Sequence, residues 1–216
     1  MTIWFNSGKE DAGLILEALE NVPLKFYDQV MLGGPDRDRQ IENMVYTVRN
    51  IARAGIPIFG YHWMPTLVGR TSLTTEIRSG ARVTAFDLTE AEKDPLLMDR
   101  RYTENEMWEN LEHWIKIIVP VAEQEGIRIG IHPCDPPVAE LQGIPQLFRS
   151  FEAYKRLISI VESPSNCIEF CQGTFSEMED AKGDGIYDMI EYFGERDKIL
   201  YVHFRNVSET VPSFRE

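Results

Sequence analysis

The sequence predicts an α/β protein built on a parallel sheet of the (β/α)-barrel type. Two observations predict it. Short β-branched runs alternate with helical stretches along the chain, which makes neighbouring strands parallel and joins them by helical crossovers. A doubly wound sheet and a barrel both fit that alternation, but no glycine fingerprint for a dinucleotide or a P-loop follows any strand, which favours the barrel. The composition agrees: 216 residues, 43% hydrophobic and 26% charged, suit one globular domain and not disorder or a coiled coil.

Taken in order, Leu14 to Val22 (LILEALENV) has helical composition, yet its apolar positions also alternate as in a strand, and periodicity leaves both open. From Arg39 to Ala54, Ile41, Met44, Val45, Val48, Ile51 and Ala52 recur at helical spacing, and Gly55 marks the stop. Residues 56–61 (IPIFGY) follow as a buried strand. The stretch from Leu67 to Arg101 carries no strong pattern and holds Arg70, Arg78, Arg82, Arg100 and Arg101. Structureless stretches of that length are commonly lids or binding loops, so it reads as a substrate-covering loop or a mobile insertion.

Thr103 and Glu106 form a capping-box pair for a helix that carries Met107, Leu111, Trp114, Ile115, Ile118 and Ala122 in one stripe. Pro120 is expected to kink it, and Gly126 to end it. Residues 127–131 (IRIGI) form the next strand. Ser150 caps a helix with Phe151, Tyr154, Leu157, Ile158 and Val161 on one face. Cys167 to Phe170 is a strand, Ile186 to Phe193 a helix ended by Gly194, and residues 199–204 (ILYVHF) a further strand.

Charge and cysteine usage narrow the function. A net charge of −13 repels a phosphate backbone or an anionic membrane, so nucleic-acid and membrane roles are not expected. The longest apolar run, Trp114 to Ala122, is broken by Lys116 and Pro120, and no export signal is recognised. Three cysteines make no disulfide framework. They point to a reducing cytoplasm, with each thiol free, metal-bound or catalytic.

The chemistry gathers at the carboxyl ends of the strands, where parallel barrels build their active sites. Residues 56–61 run into His62, IRIGI into His132, CIEF into Cys171 and ILYV into His203, so three of the four histidines lie at such ends. His132, Cys171 and His203 are 39 and 32 residues apart, each gap about one strand-helix unit. They are therefore expected on neighbouring strands at one height, where strands about 4.8 Å apart let their side chains share an ion. Two imidazoles and a thiolate leave coordination positions open, as a catalytic metal needs. Ligand softness names zinc or ferrous iron before manganese.

The remaining candidates carry less. Asp135, in the His-Pro-Cys-Asp-Pro-Pro loop, is a base, a support for a ligand or a loop cap. Arg205 and Asn206 follow His203 directly and are placed to hold a carboxylate substrate through charge-assisted bonds. Asp135 and Arg205 are the candidate catalytic residues, and His62, Arg70 and Asn206 the candidate substrate-binding ones. Cys134 reads as a spectator, Cys167 as a small core residue, and His113, mid-helix, as structural or solvent-facing.

These motifs together resemble the mannonate dehydratase family. The resemblance is carried by ENVPLKFYDQVMLGGPDRDRQIEN (20–43), AGIPIFGYHWMP (54–65), GARVTAFDL (80–88), RYTENEMWENLEHWIKIIVPVAEQEGIRIGIHPCDPP (101–137), FCQGTFSEM (170–178) and VHFRNV (202–207). It implies a xylose-isomerase-like TIM barrel and a hydro-lyase of hexuronate breakdown that converts D-mannonate to 2-dehydro-3-deoxy-D-gluconate. It also implies Mn²⁺ or Fe²⁺ in place of Zn²⁺, held by His132, Cys171 and His203. The family pattern carries an aspartate where this chain has Cys134. It also places a fourth metal ligand, an aspartate, in a region beyond Glu216.

By the same resemblance Leu14 to Val22 is a strand, about five strands stand where a closed barrel has eight, and residues 1–216 make one incomplete barrel domain. Residues around Ile3 to Phe5 are expected to supply a replacement strand. Unpaired strand edges lead to the further expectation of a homo-oligomer, with weak metal binding and low turnover. A metal-dependent sugar isomerase or epimerase on the same barrel, or an inactive homologue, is the alternative.

Overall fold

The computed structural model describes residues 12–216, so the strand expected near Ile3 lies outside the described residues. The ambiguous segment around Leu14 contributes two strand residues, β1 (Ala18–Leu19), of the type the resemblance implies. A short helix, α1 (Asp28–Leu32), leads to α2 (Arg37–Arg53), whose Ile41, Met44, Val48 and Ile51 are buried at the predicted spacing. Gly55, at φ 72°, turns the chain into β2 (Ile58–His62) with no penalty for the left-handed backbone.

The stretch from Leu67 to Arg101 corrects the expectation of a structureless loop. It folds into β3 (Ser72–Glu76) and β4 (Arg82–Asp87), then a short helix, α3 (Leu88–Ala91). The capping box of Thr103 and Glu106 then starts α4 (Glu104–Gln124), which continues through Pro120 as one helix of 21 residues. Next come β5 (Arg128–His132), a two-stranded clip of β6 (Glu140–Leu141) and β7 (Ile144–Pro145), and α5 (Phe151–Ile160), capped by Ser150. The chain continues through β8 (Asn166–Cys171), α6 (Gln172–Glu177), α7 (Gly185–Gly194), β9 (Ile199–His203) and β10 (Ser213–Arg215).

β1, β2, β5, β8 and β9 form one sheet in that order, and every neighbouring pair is parallel. β3, β4 and β10 form a separate antiparallel sheet. Its closure depends on residues too far apart for any local pattern to announce it. Phe86 of β4 pairs with Phe214 of β10, far along the chain, and their rings pack at 5.7 Å. The β3 strand itself faces water with Leu73 and its threonines, so it lacks the alternation that marks a half-buried strand.

Along the parallel strands the side chains alternate between two unlike faces. Phe59, Tyr61, Ile129, Ile131, Ile168 and Phe170 enter the core beneath the helices, where Trp114 of α4 meets Tyr27, Tyr61 and Trp63 at 6.0–6.2 Å between ring centres. The opposite face carries Gly60, His62, Gly130, His132, Glu169, Cys171, Tyr201 and His203. A parallel sheet covered on both faces would be apolar there as well.

Here that face is concave. Tyr201 of β9 reaches across to β2, so close that a Cβ on Gly60 would lie 1.8 Å from its hydroxyl. Glu20, just after β1, meets His203 at the far edge, Oε2 to Nε2 2.8 Å. Side chains from opposite sides of a five-stranded sheet can meet only if the sheet curls. Among the described residues the parallel sheet is an open arc of a (β/α) barrel, five strands where a closed barrel has eight, as expected.

Candidate metal centre

His132, Cys171 and His203 close β5, β8 and β9, three adjacent strands whose carboxyl ends open on the concave face. Their donor atoms all lie within 4.8 Å of one another. The equal height expected of them needs correction. Cys171 and His203 are register partners, but Ile131 pairs with Ile168, which brings His132 level with Glu169. A curled sheet tilts its strands, and the tilt staggers residues that a flat sheet would align.

Each imidazole has one nitrogen held by a neighbour. His132 Nδ1 lies 2.7 Å from the Pro133 carbonyl, to which it donates. His203 Nε2 is held by Glu20, 2.8 Å away, with Nδ1 facing Glu169 at 3.0 Å. Burial works against a thiolate at Cys171. The hydrogen bond and charge of His132 outweigh it and bring the thiol down to about 6. Burial likewise opposes an imidazolium at His132, but the Cys171 hydrogen bond and the charge of Glu169 lift it to about 9.

The donor set suits a divalent ion. It offers a thiol drawn towards its ionised form, an imidazole paired with that thiol, and one buried carboxylate oxygen, Glu169 Oε1, that accepts no hydrogen bond from the described residues. Outside the cluster, Cys134 is buried among apolar side chains, with its thiol pushed up to about 12 by burial. Cys167 is buried at the start of β8, where its thiol donates to the Pro164 carbonyl. His113 is half-exposed near Asp38.

A second cluster adjoins the first. Arg70 binds both oxygens of Asp135, Nη1 to Oδ1 2.5 Å and Nη2 to Oδ2 3.1 Å, and Nη2 reaches Glu216 Oε1 at 2.5 Å. Arg205 donates through Nη2 to Asp135 Oδ2 at 2.6 Å and to Thr174 Oγ1 at 2.8 Å, and its Nη1 meets Glu216. Glu177, fully buried, stands 2.9 Å from Arg205 Nη2. Burial, and then the charge of Asp135, push its carboxyl well above the usual range. Thr174 ties the two clusters together, its hydroxyl 3.3 Å from Cys171 Sγ and 3.2 Å from Asp135 Oδ2.

The predicted residues therefore separate into groups. His132, Cys171 and His203 come together, and so do Arg70, Asp135 and Arg205. His62 is the register partner of His132; burial, helped by the nearby His132, lowers it to about 4, so it is neutral. Its Nδ1 accepts the Met64 backbone N–H, which puts the proton on Nε2. Asn206 is not brought to Arg205. It lies on the outer side of β9, lining a groove with Phe170, Val202 and Phe204.

Sequence reasoning missed Glu169, Glu177, Tyr201 and Glu216. A signal existed for Glu169: a carboxylate in the otherwise apolar run CIEF, two residues before Cys171 and so on its face. Glu216 gave none, because its partners Arg70 and Thr84 are more than 130 positions away.

Comparison with known proteins fits this geometry. The sequence matches the family described as D-mannonate dehydratase (UxuA) over residues 5–100 and 91–216. Mannonate dehydratase of Streptococcus pneumoniae (strain 70585) is 32% identical over 232 residues, covering 96% of this chain and 62% of the relative. Mannonate dehydratase 2 of Halalkalibacterium halodurans is 30% identical, covering 96% of this chain and 66% of that protein.

The crystal structure of mannonate dehydratase from Streptococcus suis serotype 2 superposes with a TM-score of 0.85 at 32% identity, over 99% of this chain and 61% of that one. A xylose isomerase-like TIM barrel protein from Mycobacterium smegmatis, 10% identical, shares the fold with a TM-score of 0.58, over 94% of this chain and 55% of that one. The chain spans about 62% of the length of the first of these relatives.

Proposed function

The chain belongs to the D-mannonate dehydratase (UxuA) family, and from that premise we propose that it binds a divalent metal and removes water from a sugar acid, D-mannonate. The observation that carries the reading is the convergence of His132, Cys171 and His203 beside a pair of arginines at the carboxyl ends of a barrel-type sheet. His132, Cys171 and His203 would hold the ion. Mn²⁺ or Fe²⁺ is the proposed metal, with Zn²⁺ compatible with the two nitrogens and one sulfur. When bound, a divalent ion stabilises the negative charge that develops when the proton next to a carboxylate is lost.

The chain's own residues supply the rest. Of the two arginines, Arg205 is the more accessible, its side chain 27% exposed against 7% for Arg70. Arg205 is therefore the cation that a substrate carboxylate reaches, exchanging a contact with Glu216 for one with the ligand. Asp135 has both oxygens engaged by guanidinium groups, so it serves to fix Arg70 and Arg205. Glu177, kept in its neutral form by burial, holds a proton beside Arg205 that departure of the 3-hydroxyl needs. His62, neutral with Nε2–H, is a hydrogen-bond donor to the oxygenated substrate.

Two further properties follow in the same proposal. Val202 and Phe204 are 50% and 90% exposed at the edge strand β9, which supports a homo-oligomer, testable by size-exclusion with light scattering. Three free, buried cysteines suit the cytoplasm.

The test is direct. The chain loaded with Mn²⁺ or Fe²⁺ and incubated with D-mannonate should yield a 2-keto-3-deoxy acid, measured by its absorbance after derivatisation. Stoichiometric metal with no keto-acid product would overturn the dehydratase reading.

A further inference from the structure

Glu169 occupies an unusual place for a carboxylate. It lies in the middle of β8, fully buried, on the same face of the strand as Cys171. The register puts it beside His132 on one side and makes it the partner of Tyr201 on the other. Its two oxygens are used differently. Oε2 accepts a hydrogen bond from the Tyr201 hydroxyl at 2.6 Å. Oε1 stands 3.0 Å from His203 Nδ1 and 3.8 Å from His132 Nε2, yet accepts no hydrogen bond from the described residues. Leaving a buried acceptor unsatisfied costs about 1–3 kcal/mol, and more for a charged one, unless a cation answers it.

The histidines show what kind of partner Oε1 awaits. Each has its outer nitrogen already bound, His132 to the Pro133 carbonyl and His203 to Glu20. Glu169 Oε1 faces one nitrogen of each ring, the Cys171 sulfur has a donor nitrogen of both rings within 4.8 Å, and Glu169 itself groups with Glu20 and His203. Ligands roughly 2.0–2.2 Å from a common ion lie about 3–3.5 Å from one another. The 3.0 and 3.8 Å separations bracket that range.

We infer that Glu169 Oε1 is a fourth protein donor to the ion held by His132, Cys171 and His203. Tyr201 and Glu20 are positioning residues, fixing the carboxylate and the His203 ring from behind. Gly60 is part of the same device, since any side chain there would displace Tyr201. The inference rests on the reading of His132, Cys171 and His203 as metal donors and adds a donor of a different kind.

The experiment loads the purified chain with Co²⁺. It reads the thiolate-to-cobalt absorption, the visible d–d band and the affinity by competition with a chelator. The wild-type chain should bind about one equivalent with both bands. Glu169→Gln should keep the thiolate band, shift the d–d band and weaken binding by about ten-fold or more. Tyr201→Phe should weaken it less. Wild-type affinity and an unchanged d–d band in a folded Glu169→Gln variant overturn the inference while leaving the three-donor centre intact.

Absence of the thiolate band from the wild-type chain overturns the three-donor reading itself, and the inference with it. Should circular dichroism show that Glu169→Gln does not fold, the metal-minus-apo infrared difference spectrum of the wild type and of Glu20→Gln decides. A carboxylate stretch that moves on loading in both supports the inference, and none in either overturns it.

Discussion

The two polar clusters of this molecule are neighbours built on opposite principles. The His132, Cys171 and His203 cluster is placed by strands, three consecutive members of one sheet. The cluster of Arg70, Asp135, Arg205 and Glu216 is placed by four connecting or trailing segments, and its charges are locked into each other. In the first, two imidazoles and a thiol come together beside a carboxylate oxygen that no described residue hydrogen-bonds. In the second, two guanidinium groups are already matched by carboxylates. The difference separates a cluster of potential ligand atoms without a built-in cation from a cluster that has its cations and holds them in place.

The largest effect that could break this contrast is on metal. Cys171→Ser should abolish stoichiometric metal in the purified chain, whereas Cys167→Ser, on the same strand but with its thiol turned to the Pro164 carbonyl, should leave it unchanged. Metal analysis of both variants checks this, and equal losses would remove the distinction. Next in size, Arg70→Met should destabilise the fold by roughly 1–3 kcal/mol in urea titrations, because it strips one of two guanidinium partners from the buried Asp135 carboxylate and leaves Arg205 in place. Metal content should survive that change if the two clusters are separately built.

A smaller effect concerns acid. Burial opposes ionisation of Glu216, but the Arg70 and Thr84 hydrogen bonds and the Arg205 charge hold its carboxyl down at about 2. Unfolded glutamate titrates near 4.3. The folded value is the lower one, so this stabilisation is present above that pH and is lost as pH falls towards 2. Glu216→Gln should flatten that part of the acid-unfolding curve, measured as urea midpoints between pH 5 and 2. The smallest effect tests the link itself. Thr174→Val removes the hydroxyl shared by Cys171 and Asp135, and should cost about 1 kcal/mol while uncoupling the variants of one cluster from those of the other in a double-mutant cycle.

Legibility followed the same division. The helices over α2, α4 and α5 could be read because cap residues and apolar spacing act within a few positions: Thr103 with Glu106, Ser150 with Ala153, Ile41 with Met44. His132, Cys171 and His203 were legible because each stands where a strand ends, and strand order follows chain order here. Asn206 was not separable from Arg205 by sequence: Arg205 turns to Asp135, whereas Asn206 lines the groove with Val202 and Phe204. The β3–β4 hairpin was invisible because its third strand and its apolar partner Phe214 arrive at the other end of the chain.

The sequence by itself determined the parallel α/β order, the helix limits and the strand-end places of His132, Cys171 and His203, since each depends on periodicity and caps that act over a few residues. Only the tertiary structure decided that the sheet curls, that Glu169 stands level with His132, and that Arg70, Asp135, Arg205 and Glu216 meet. Those contacts are set by strand tilt and by packing between distant segments, and no local pattern of residues encodes the register at which two such segments come to rest.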